Sequence, residues 1–272
     1  MLHKLFFYIL FCLLFLECSK YEATPPSYIK INEFKVSDAK ITDAWIYINN
    51  EFIGAYELPC EIPVSNQGSV KVTVAPGIKN TGQSSLREKY IFYQWFDTII
   101  TLNYKSYLIE PHSIYINNKN NLWLGDFENN INWFNKESNS DTNLYITNSN
   151  AFLGSACGEI TVNNSNPFAR VKSNTGLDIP PAGKRTFLEM NYACNAPVKI
   201  GVLCTMGTSV FDTPIITLSS TQLLWNKIYI DLSNTLNTMN SQGKFEIYCE
   251  IQQISGEENK FRTDNLKIIS QQ

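Results

Sequence analysis

The chain has 272 residues and a mass of 31.0 kDa, room for one large or two ordinary domains. Hydrophobic residues make up 44%, enough for a core, while Lys+Arg (22) and Asp+Glu (25) leave a formal net charge of -3. That balance excludes a basic nucleic-acid binder, and the apolar content excludes an acidic disordered chain.

The elements begin with an address. Leu5 to Leu16 is a run of 12 apolar residues behind Lys4. A membrane-spanning helix needs about 20 and a signal-peptide core about 7–15, so residues 1–17 are expected to be a signal peptide. Leu16-Glu17-Cys18-Ser19 then places a cysteine directly after the run. This resembles the lipobox of bacterial lipoproteins, departing from it at Glu17, where a small residue is usual. The resemblance implies that Cys18 is lipidated and becomes the first mature residue. The chain would then be held at the membrane by its lipid anchor, as an outer-membrane lipoprotein of the cell envelope. Residues 18–26, ending in Pro25-Pro26, read as a polar tether.

Beyond the tether, helical periodicity is almost absent, and alternating strands bounded by Gly, Pro and Asn recur. The expected fold is all-β: a small N-terminal β-sandwich over 27–115, a connector at 116–124, and a larger jelly-roll β-sandwich over 125–272. In the first part, Tyr28 to Phe34 alternates, and Ala44 to Ile48 followed by Asn49-Asn50 and Phe52-Ile53-Gly54 reads as a hairpin, because Asn tolerates the positive φ of tight turns. Asn49-Asn50, Gly54, Pro59 and Gly68 together resemble PEGA-type modules of bacterial envelope proteins. That resemblance implies interaction in the envelope, not catalysis. The aromatic run Tyr90 to Phe96 is expected to be core or domain interface, with a protein-binding patch as the alternative.

In the second part, Phe127-Glu128 is read as the opening strand and Asp264 to Ile268 as the closing one, with Trp225 to Leu232 between them. These segments resemble jelly-roll carbohydrate-binding-like domains. The whole chain resembles a two-domain lipoprotein family of Bacteroidota. Such jelly rolls often hold one structural calcium, which takes six to eight oxygen ligands. The resemblance implies Asp126, Glu128 and Asp264 as its ligands, with ordinary edge hydrogen bonds as the alternative. No other cofactor is expected.

Strand alternation sorts the faces. Ile228, Ile230 and Leu232 should point inward, as should Leu188, Met190 and Tyr192. That leaves Tyr229, Tyr248, Glu189 and Asn191 outward, where they are expected to share one face and bind a glycan. A solvated or covered face is the alternative. Catalysis has little to stand on. The mature chain has one histidine, His112, and no Gly-x-Ser-x-Gly, P-loop or His-Glu-x-x-His motif. Glu189 and Glu250 are the pair a glycan-active enzyme would need. Of the seven cysteines, Cys12 falls in the signal and Cys18 at the lipid site. Cys60, Cys157, Cys194, Cys204 and Cys249 remain, expected to be mostly core-like thiols. The expected function is a non-enzymatic, lipid-anchored glycan- or surface-binding module. The alternative is a structural or assembly lipoprotein that binds another envelope protein.

Overall fold

The computed structural model describes residues 24–239, 242–254 and 256–272. The signal segment and Cys18 lie outside the described residues. Over the described residues the chain is nearly all β, with four sheets.

Among the described residues, eight strands form the N-terminal half: β1 (Ser27–Ile31), β2 (Asp43–Ile48), β3 (Glu51–Glu57), β4 (Cys60–Val64), β5 (Gly68–Lys79), β6 (Arg87–Lys89), β7 (Phe96–Leu102) and β8 (Ser106–Ile109). One sheet has the order β4-β1-β8, and the other β3-β2-β5-β6 with β7 also on β5. In the second sheet the long β5 pairs β7 through 68–74 and β6 through 77–79 along one edge. Alternation explains the packing. Ile29 and Ile31 face Ile46, Ile48, Val70, Val72 and Val74 in one buried cluster, while residues between them point away. The β2–β3 hairpin turns on Asn49 and Asn50, at φ 50° and 68°, the two positive values of a type I′ turn.

The described residues of the C-terminal half form twelve strands: β9 (Lys119–Gly125), β10 (Phe134–Lys136), β11 (Tyr145–Thr147), β12 (Cys157–Val162), β13 (Phe168–Ser173), β14 (Leu177–Asp178), β15 (Thr186–Cys194), β16 (Val198–Met206), β17 (Ser209–Leu218), β18 (Asn226–Asp231), β19 (Lys244–Gln252) and β20 (Asn259–Gln271). The short helix α1 (Ser233–Asn237) follows β18. The outer sheet has the order β10-β13-β19-β16-β17 with β14 on β19. The inner sheet has the order β11-β12-β20-β15-β18 with β9 on β20. They close over a core that includes Leu188, Met190, Ile228, Ile230, Leu232, Ile247 and Cys249, the inward set that alternation predicts.

Two expectations need correction. Residues 119–124 of the expected connector belong to β9 and pair with β20, because Leu122 and Trp123 have apolar surface to bury and β20 offers a free edge. Phe127-Glu128 is not an opening strand. Phe127 takes a left-handed conformation (φ 58°) ahead of a 3₁₀ turn at Glu128–Asn130, with its ring buried on Phe134.

The inner sheet is also covered on its far side. Every residue of β15 is buried. Ile78, Tyr90, Phe92 and Tyr93 of the N-terminal half pack on Phe187, Tyr229 and Ile269. The Tyr90 ring meets Phe187 edge-on at 5.3 Å and Tyr229 at 4.8 Å. Most of the Tyr90–Phe96 run is thus spent on this junction.

Candidate functional site

Trp45 and Tyr47 alternate with Ala44, Ile46 and Ile48 on β2, so both rings stand on the outer face of their sheet. The turn at Asn49-Asn50 brings Phe52 back beside them, 5.6 Å from Trp45 and 5.2 Å from Tyr47. Trp95, just before β7, stacks on Tyr47 at 5.5 Å and 16°. Four rings from three segments form one strip, and Phe52 and Trp95 are each 49% exposed. Large aromatics clustered in the open mark an interaction surface more often than chance exposure does.

A groove of about 320 Å³ lies at the Tyr47–Trp95 end of this strip, lined also by Asn50, Lys71, Thr73 and Asp97. The register explains the lining, since Tyr47, Thr73 and Asp97 lie in one row across β2, β5 and β7. Thr73 Oγ1 donates to Asp97 at 2.5 Å, and Lys71 Nζ lies 2.9 Å from the same carboxylate. These two bonds hold the Asp97 carboxyl below its ordinary pKa. Behind the strip, Lys89 Nζ sits over Trp45, Tyr47 and Trp95 at 5.0 to 5.7 Å and donates to the Tyr47 hydroxyl. This cation–π packing holds the rings in place.

The sequence-predicted ligand residues lie elsewhere and do not share a face. Tyr229, Glu189 and Asn191 sit on the inner sheet and Tyr248 on the outer one. All four are buried. Glu189 accepts hydrogen bonds from Tyr90 (2.6 Å) and Tyr115 (2.7 Å) inside the junction. The Tyr229 hydroxyl accepts from the Lys40 amide at 3.0 Å. Alternation was right about direction, but the N-terminal half covers what would have been an open face. Tyr248 lies under the Arg170 guanidinium, 3.9 Å from its ring centre. Glu250 is on that outer sheet too, held by Arg170 and Lys199. It and Glu189 are on opposite faces of the sandwich, so they cannot flank one glycosidic bond.

The carboxylates expected to hold calcium are engaged by backbone. Glu128 accepts from the amides of Ser155 and Ala156 and from the Ser155 hydroxyl. Asp264 accepts from the amides of Phe152, Leu153 and Asn265. Asp126 receives the Glu128 amide. Burial pushes the Asp264 carboxyl up to about 6, with nearby Glu128 adding to the shift. These bonds shape the loop at 152–156. Among the described residues, no three acidic, histidine or cysteine side chains converge as a metal-holding group.

No family model matches the chain, and no curated protein matches it. Similar solved structures include carbohydrate-binding modules of β-sandwich fold. One, from work on the "promiscuous specificity of the carbohydrate-binding modules from the beta-sandwich super family", is 16% identical, covers 85% of this chain and 86% of its own, and has a TM-score of 0.42. A family 11 module from Clostridium thermocellum, in complex with a β-1,3-1,4-mixed-linked tetrasaccharide, is 12% identical over 53% of this chain and 93% of its own, with a TM-score of 0.37. A xylan-binding domain of family 22 is 11% identical over 54% and 93%, at 0.39. At these identities and scores the likeness says nothing of what this chain binds.

Aromatic faces beside hydrogen-bonding side chains are the expected pattern, but the open ones lie in the N-terminal half and not in the C-terminal one. The signal for the groove was present in Trp45 and Tyr47, spaced two apart between inward isoleucines. Their partners Trp95 and Asp97 are some fifty residues away, and only the β2–β5–β7 order joins them.

Proposed function

We propose that the protein is a lipid-anchored, non-catalytic glycan-binding module of the cell envelope, with its ligand in the groove beside Tyr47 and Trp95. One observation carries this reading: exposed Trp95 stacked on half-buried Tyr47 and edged by Asn50, Lys71, Thr73 and Asp97 in a groove of about 320 Å³. A sugar ring has apolar C–H faces and a rim of hydroxyls that both donate and accept. It needs apolar surface and polar groups within one ring's width, which is how small-ligand clefts of about 300–1,000 Å³ are built. The lysine–aspartate pair provides a donor and an acceptor 2.9 Å apart, matched to neighbouring hydroxyls. The lipid anchor is supported by Cys18 placed directly after the apolar run.

The test is a glycan array followed by calorimetry, with Trp95→Ala and Tyr47→Ala. Each variant should weaken binding about tenfold or more, the loss of at least ~1.4 kcal/mol, with an unchanged circular dichroism spectrum. Flat binding of the parent protein to all glycans would overturn the reading. Co-purification with one envelope protein, lost in Trp95→Ala, would then establish the assembly role instead. For the anchor, Cys18→Ser should release the protein from the membrane fraction and alter its mobility, and retention with unchanged mobility would refute lipidation.

A further inference from the structure

A cavity of about 330 Å³ opens on the seam between the halves. Lys40, Lys79 and Thr81 line it from the N-terminal half, and Thr217, Ser219 and Asn226 from the C-terminal half. The backbone beside it is pinned to β18. The Thr81 amide donates to the Tyr229 carbonyl at 2.7 Å, and the Lys40 amide donates to the Tyr229 hydroxyl at 3.0 Å. The lining is one-sided in charge: among the described residues it holds three lysines, Lys40, Lys79 and Lys227, and no aspartate or glutamate. A cleft lined by one sign of charge concentrates ions of the other sign.

Two of these lysines are already answered. Lys227 is buried, 3.1 Å from Asp38 and 3.4 Å from Glu189. Lys79 Nζ lies 3.0 Å from the Glu57 carboxylate. Lys40 is different. It is exposed, and among the described residues it makes no ion pair. Its Nζ donates to the Asn226 side-chain oxygen at 2.5 Å, a neutral acceptor on a residue of the same lining. An ammonium has three protons to give, so two stay free for a ligand. Partial burial, and then the Lys79 charge, hold Lys40 below its ordinary pKa. That is the behaviour of a cation beside another cation, with no acid to offset it.

The charge left over decides what fits. A cation is repelled by Lys40 and Lys79, and a neutral molecule gains less from them than an anion does. One negative charge offsets the one lysine that lacks a carboxylate. The adjoining depression borders the same Lys40 and Asn226 but also Asp38, whose carboxylate opposes an anion there. Exposed Thr217 and Ser219 in the seam cavity offer hydroxyls to the rest of a polar ligand. We infer that the seam cavity is an anion site, in which Lys40 is the counter-ion of a singly charged carboxylate or sulfate ester on a small hydroxylated ring. Its residues differ from those of the Tyr47 groove, so the two sites stand or fall separately. Because both halves line it, a bound anion also ties them together.

The test is thermal unfolding of the full chain at low salt, titrated with glucuronate, galacturonate and glucose sulfate, and with neutral glucose and galactose beside them. One or more of the acids should raise Tm saturably, as a ligand of the folded state does. Which acids act tells a carboxylate ligand from a sulfate one. By calorimetry, Lys40→Met, at an exposed position, should weaken Kd for the acid about tenfold or more, through loss of a charge-assisted hydrogen bond. Trp95→Ala should leave that Kd unchanged, and added salt should lower the affinity as the charges are screened. Any rise given by the neutral sugars belongs to the Tyr47 groove, and should vanish in Trp95→Ala but not in Lys40→Met. No Tm rise with any of the acids, or an acid-induced rise that survives Lys40→Met, would overturn the inference. So would an acid-induced rise lost in Trp95→Ala, which would assign the acid to the Tyr47 groove instead.

Discussion

The buried carboxylate at the junction offers a sharp test of how the halves are joined. Glu189 is fully buried and takes hydrogen bonds from two tyrosines, Tyr90 at 2.6 Å and Tyr115 at 2.7 Å. Tyr90→Phe removes one donor and leaves the ring. The ring's contacts with Phe187, Tyr229, Phe92 and Tyr93 therefore persist. A hydrogen bond to a charged group contributes about 1.5–3 kcal/mol. Tyr115 and Lys227 still face the carboxylate, so the loss should be about 2 kcal/mol. In a chain of this size each kcal/mol moves Tm by roughly 2–4 °C, giving a fall of about 4–8 °C by scanning calorimetry. Tyr115→Phe breaks a bond of nearly equal length but should cost less. Tyr115 is partly exposed while Tyr90 is fully buried, so water is better placed to stand in for the Tyr115 hydroxyl than for that of Tyr90. The reasoning is refuted if Tyr90→Phe unfolds with the parent Tm, or if Tyr115→Phe proves the more damaging.

Two further predictions concern the C-terminal half. A Cβ added at Gly201 would run into the Tyr248 ring, which cannot swing outward because Arg170 lies 3.9 Å above it. Gly201→Ala should therefore cost about 1–3 kcal/mol, read as a lower denaturant midpoint. An unchanged midpoint would mean that the ring is loose. At Asp264, burial raises the folded pKa to about 6 from 3.8, so the folded state holds this proton more tightly than the unfolded one. Stability should fall as pH rises from about 4 to about 6, by at most ~3 kcal/mol. Asp264→Asn should remove that component, and parallel pH profiles for the two proteins would contradict it.

The strands and their inward residues were largely legible in the sequence, because a period of two is written directly in segments such as Lys227–Leu232 and Phe245–Ile251. What lies over an outward face is not written there. Tyr229 and Glu189 alternate outward as expected, yet Tyr90 and Tyr115 arrive from a hundred residues or so away to cover them. Tyr248 could not be separated from Tyr229, since alternation assigns a face but not a sheet. Phe127 defeated the pattern differently. Its left-handed backbone is unusual for a bulky residue, and no local signal announces it. The five described cysteines followed their apolar neighbours: four are buried, Cys60 is half-buried, and none is bonded to another.

The junction aromatics also bear on how this chain can be taken apart. Cut at the segment before β9, each half would carry away one side of the seam: Ile78, Tyr90, Phe92 and Tyr93 on one piece, Phe187, Tyr229 and Ile269 on the other. With the cover gone, Glu189 and Lys227 would meet water at last, but so would a contiguous oily face of the kind that drives self-association. Each fragment would thus be stickier than the parent molecule and a poor stand-in for it. Co-expressed, the same two faces should find each other, giving a split protein whose reassembly is written in seven apolar side chains.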